Sequence, residues 1–171
     1  MDPTHLHLLV NHLPIVGTFL GVALMILALV RRTDAGALHA AALVLVLAGA
    51  GAVVAEESGE GAEEMVEDLA GTDEAALHVH EERAEVATPL ALLTALFAAG
   101  AVVTRALRPG TLSTAATVLT LASAAASSGV MAWVGQSGGL IRHSELRGTP
   151  PATAPGHGLV GERDHEDVDG D

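Results

Sequence analysis

Histidine is the residue type that marks this chain: nine imidazoles occur in 171 residues that contain no cysteine. His5, His7, His12, His78, His80, His143, His157 and His165 lie outside the long apolar stretches or at their very edge, and His39 is the exception. Imidazole and carboxylate together form the donor set of Cu(II), Zn and non-heme Fe. Thiolate metal sites, iron–sulfur clusters and covalent c-type heme all need the cysteine that this chain lacks. With only four methionines, Cu(I) handling is disfavoured as well.

Spacing gives these residues faces. His5 and His12 are seven apart and share one side of a continuous helix, on which His7 points elsewhere; Asn11 stands beside His12, able to orient an imidazole or a water. Asp2 and Pro3 supply an N-cap and a first helical position. Pro14 removes a backbone donor, frees the Val10 carbonyl and should bend this helix. Further along, His78, Glu81, Glu82 and Glu85 fall at i, i+3, i+4 and i+7 of a helical lead-in, with His80 and Arg83 on another side.

The elements that must position these groups are apolar. Half of the residues are hydrophobic and the mean hydropathy is +0.44. The apolar residues come in four blocks, 13–30, 36–55, 84–104 and 112–134, each close to the ~20 residues with which a helix crosses a bilayer. The chain therefore reads as all-α, an integral membrane four-helix bundle over residues 1–147. Residues 148–171, rich in Pro, Gly and acids, read as a disordered acidic tail. A secretory signal is disfavoured at the N-terminus, because residues 1–12 carry Asp2 and no Lys or Arg.

Charge sets the expected orientation. The short connections hold Arg31, Arg32, Arg105 and Arg108 against Asp34, whereas the long connection from Glu56 to Glu85 holds twelve acids against Arg83. The positive-inside rule then puts the short connections in the cytoplasm, giving an N-out/C-out protein of the bacterial inner membrane with an outer-face loop between helices two and three. Every histidine but His39 falls on that outer face. Trp133 suits an interfacial position there. Gly17, Gly21, Gly49, Gly51 and the Thr/Ser residues from Thr117 to Ser128 suit close helix packing. Gly135, Gly138 and Gly139 read as a flexible turn leading back over the bundle.

Four motifs carry a resemblance: His5-Leu6-His7-Leu8-Leu9-Val10-Asn11-His12-Leu13-Pro14-Ile15, Ser58-Gly59-Glu60-Gly61-Ala62-Glu63-Glu64, His80-Glu81-Glu82 and Gly138-Gly139-Leu140-Ile141-Arg142-His143-Ser144-Glu145. Over residues 3–147 the chain resembles a family of small uncharacterised four-helix bacterial membrane proteins. That pattern often has Thr at Ser58, Pro at Gly61 and Asn-Leu at Gln136-Ser137, so every histidine and Glu60 are retained. The resemblance implies the four-helix fold and topology, brings no established activity, and favours His80 over His78.

Three functions follow as expectations. The first is an outer-face centre for Cu, Zn or Fe built from His5, His12, His80 and His143 with oxygens from Glu60, Glu81 or Glu145, serving electron transfer or metal handling. The second is a b-type heme membrane cytochrome with His12 and His80 as axial ligands. Phe19, Phe97 and Trp133 are the aromatic residues available to line its porphyrin, and Gly17 makes room. The third is a non-catalytic accessory subunit packed through Ala/Gly faces on a larger membrane complex or on a second copy. The lipid bilayer is the constant partner, and a net charge of −13 leaves no basic surface for nucleic acid. No HExxH, serine elbow or phosphate loop is present to make the chain a hydrolytic enzyme. Spans almost free of charge argue against a channel or transporter.

Overall fold

Where the surrounding solvent is hydrocarbon, large apolar side chains gain nothing by hiding, and small ones let backbones approach. The protein is built on that rule. Leu9, Val16, Phe19, Leu43, Leu96 and Leu119 stand exposed around its girth, while alanines such as Ala41, Ala48, Ala91, Ala98 and Ala124 fill the interior. Buried polar side chains are chiefly Thr and Ser, whose hydroxyls donate to the preceding turn of their own helix, as Thr94 does to Leu90 and Thr120 to Ala116, both at 2.8 Å. Thr94 also meets Ser123 of a neighbouring helix at 2.7 Å.

The structure, a computed structural model, describes residues 2–31, 35–66 and 72–143. Arg32, Asp34, Glu145, His157, His165 and the tail 148–171 lie outside the described residues. The elements are α1 (Pro3–Val10), α2 (His12–Val30), α3 (Ala35–Val66), α4 (Glu74–Leu107) and α5 (Thr111–Arg142), with no strand among the described residues. Asp2 caps α1, its carboxylate accepting from the Thr4 amide at 3.1 Å, and Asp73 caps α4 through the Ala76 amide at 3.0 Å. The α1/α2 break falls at Asn11, next to the Val10 carbonyl that Pro14 leaves without its helical donor. Asn11 itself keeps right-handed helical angles, so α1 and α2 run on as one member of the bundle.

Counted that way, the chain has four helices long and apolar enough to cross a membrane, Pro3–Val30, Ala35–Glu63, Glu74–Leu107 and Thr111–Ile141. This is the make-up of a multi-pass membrane protein. Contacts run α2–α3, α3–α4, α4–α5 and α5–α2, closing a ring in up-down order. The helix ends Pro3, Val66, Glu74 and Arg142 therefore lie at one end of the bundle, and Val30, Ala35, Leu107 and Thr111 at the other.

Two expectations about loops change. The acidic connection is mostly helix, because α3 runs on to Val66 and α4 starts at Glu74. Residues 135–142, expected as a turn, continue α5 to Arg142. Glycine there is an absence of side chain rather than a bend. The bundle thus projects beyond its apolar blocks by 11 residues of α3, about 16 Å at the helical rise.

Candidate metal centre

The histidines of this projecting end do not all converge. On α1 and α2, residues 7, 8, 11, 12 and 15 form one face, about 140° wide at 3.6 residues per turn. That face borders a cavity of about 570 Å³ together with His80 of α4 and Gly138 and His143 of α5. Four imidazoles, His7, His12, His80 and His143, therefore share one space. His12 and His143 are at its exposed rim. The amide oxygen of Asn11, another lining group, is buried with no hydrogen-bond partner, an acceptor left for a bound water or ligand.

His7 and His80 are the inner pair, and they are seated alike. The Nδ1–H of His7 donates to the Ala55 carbonyl of α3 at 2.8 Å. That of His80 donates to the Val134 carbonyl of α5 at 3.1 Å. Three residues on from each carbonyl stands a serine: Ser137 donates to Val134 at 2.8 Å, whereas Ser58 donates chiefly to Val54 at 2.6 Å and lies 3.2 Å from the Ala55 carbonyl. Four residues on stands a glycine against the ring. A Cβ on Gly59 would lie 3.2 Å from His7 Nδ1, and one on Gly138 would lie 3.1 Å from His80 Cε1. The hairpin α1/α2–α3 and the hairpin α4–α5 thus repeat one device, a histidine on the first helix held by a carbonyl of the second. The two ring centroids are 6.3 Å apart and their planes cross at 88°.

The carbonyls fix the chemistry of both rings. A carbonyl can only accept, so each Nδ1 carries hydrogen, and in the neutral tautomer each Nε2 keeps its lone pair for a metal. This carbonyl-anchored imidazole is the arrangement by which proteins orient metal-ligating histidines. Burial adds to it at His80, which lies a turn before the apolar block that begins at Ala84. Desolvation there pushes the imidazole below its ordinary value of 6.5, outweighing the Val134 hydrogen bond, with His7 and Arg83 adding small electrostatic terms in the same downward direction.

The other expected ligands are placed differently. His5 is well exposed, 3.3 Å from the Asp2 carboxylate, about 10 Å along the helix from His12. Glu60 and Glu81 border a small separate cleft between α3 and α4 with Glu56 and Glu85. Glu81 also approaches the exposed His78 at 3.5 Å. Among the described residues no carboxylate borders the large cavity, and no three His, Asp or Glu side chains gather closely enough to hold an ion. His39, at the opposite end, donates to the Ala35 carbonyl at 2.6 Å. Arg83 stacks on Trp133, its guanidinium carbon 4.3 Å from the ring centre, and also donates to the Trp133 carbonyl at 3.3 Å.

Sequence reasoning passed over His7. The dipeptide Ser-Gly that seats it recurs at residues 58–59, 128–129 and 137–138. Only the first and last face an imidazole, since a Cβ on Gly129 would meet nothing within 4 Å. Comparison with protein-family models, with curated proteins and with solved structures finds no match for this chain.

Proposed function

We propose that this chain is a multi-pass protein of the bacterial inner membrane that holds a transition metal at its outer end, with His7 and His80 as the principal ligands. The observation that carries this reading is the matched seating of two imidazoles, each oriented through Nδ1 by a backbone carbonyl. N-out/C-out orientation belongs to the proposal and is supported by Arg31, Arg105 and Arg108 at the end of the bundle opposite the site. So does kinship with the small four-helix family, whose opening motif contains His7 and His12. Electron transfer suits such a centre better than metal handling, because interior ligands hold an ion more than they pass it on.

The test is purification in detergent with elemental analysis of the same sample. About one equivalent of Fe, Cu or Zn per chain is expected, falling at least five-fold in His7→Ala and in His80→Ala with helical circular dichroism unchanged. Wild-type protein that is metal-free, and stays so after dialysis against each ion and against hemin, removes the reading and leaves a structural subunit.

A further inference from the structure

Within that metal-centre reading, on which this inference rests, the geometry points to a heme b whose iron is held between His7 and His80. Distance is the first argument. A metal bond of about 2 Å on each side, plus about 1 Å from each nitrogen to its ring centre, puts trans imidazoles about 6 Å apart and tetrahedral ones nearer 5 Å. The observed centroid separation of 6.3 Å has room for the trans arrangement. Trans imidazoles with the other positions supplied by something else are what a porphyrin requires.

Ligand number is the second. A bare ion in a closed site takes about four protein ligands, whereas heme iron takes two, and two is what the interior provides. His12 and His143 stand at the rim, and the carboxylates Glu60 and Glu81 belong to the α3–α4 cleft. Symmetry is the third. Both rings are anchored through Nδ1 on a carbonyl of the next helix with a glycine four residues on, as befits a ligand that offers the same coordination on both of its faces.

Space is the fourth. Both rings border a cavity of about 570 Å³ beside α5, and His7 also borders one of about 340 Å³ with Thr4, Gly59 and Thr72. Both volumes fall in the range of about 300–1,000 Å³ that holds cofactor-sized molecules. The smaller cavity mixes apolar side chains with Thr4, Glu63 and Thr72, and the larger one sets Leu8, Ile15 and Ile141 beside Asn11 and the imidazoles, with Gly139 leaving its backbone open to a flat ring.

The experiment is expression of the full chain with heme precursor supplied, purification in detergent, and optical spectra of oxidised and reduced protein with heme and metal quantified. About one heme per chain is expected, with the sharp paired visible bands of six-coordinate low-spin iron on reduction. His7→Ala and His80→Ala should each lose at least 90% of it, His12→Ala should lose less than either, and His78→Ala, outside the cavity, should retain it. Because an alanine at a buried ring can disturb packing, His80→Met and His7→Met are included; each should keep heme while shifting the spectrum away from the bis-imidazole form. Copper or zinc without heme, lost in the same variants, overturns the heme inference and leaves the metal centre standing. Heme that depends on His12 and not on His7 overturns the assignment of the pair. Protein that takes up neither ions nor hemin defeats both the inference and the reading beneath it.

Discussion

At the scale of single residues, the behaviour of His80 separates a functional imidazole from a solvated one. Its burial favours the neutral form, so in metal-free protein its ring should titrate below the ordinary 6.5 in a histidine NMR titration. The consequence for stability has a definite sign. The unfolded chain binds a proton at His80 in a pH range where the folded chain does not. The stabilisation it contributes is therefore complete above the unfolded value of 6.5 and is lost as pH falls through the lower folded value. Metal-free wild type should lose more melting temperature between pH 7 and pH 5 than His80→Gln does; equal losses would remove the desolvation argument. The sequence displays the imidazoles, and it displays the Ser-Gly steps. It does not display that Ala55 and Val134 present their carbonyls to rings 48 and 54 residues away. The wheel that paired His5 with His12 treats the helix as isolated, and an isolated helix has no inner edge. His7 became the inner residue because α3 lies beside it, with a glycine where a side chain would have pushed the ring out.

At the scale of elements, small residues set how near the helices come. A Cβ on Gly17 would lie 2.8 Å from the Cβ of Ala48, an atom fixed to its own backbone that cannot swing aside. One on Gly49 would meet Ala95 and the Ala91 carbonyl, at 3.1 and 3.3 Å. Gly100 has open space. Gly17→Val should therefore part α2 from α3 and cost about 1–3 kcal/mol, read as a lower melting temperature in detergent, while Gly100→Val should leave melting unchanged. Matching melting temperatures for the two variants would mean that the close approach does not hold the bundle. The four apolar blocks were legible from length alone, because lipid leaves helix as the open choice for a lone span. The helical extensions were not. Acidic residues such as Glu56, Glu57 and Glu60 read as loop by composition, yet α3 carries them through on its exposed and half-buried sides, since a helix projecting into water needs only one packed face.

At the scale of the whole molecule, function depends on which end of the bundle meets which compartment. Arginine gathers at the end formed by the two short connections, and the imidazoles and acids gather at the other. If translocation follows the arginines, the end that carries His7 and His80 faces outward, which is where the proposed centre would meet a partner. The native chain has no cysteine, so single cysteines report topology without background. Thr4→Cys and Thr72→Cys stand at the imidazole end, and Arg108→Cys stands in the connection at the other. In intact cells a membrane-impermeant maleimide should label the first two and spare the third until the membrane is permeabilised. The reverse pattern would place the site in the cytoplasm. The pair and its carbonyls would be untouched by that outcome, and any electron partner would then have to be cytoplasmic. Labelling at only one of Thr4 and Thr72 would break the even number of crossings itself, and with it the ring of helices that brings His7 and His80 face to face.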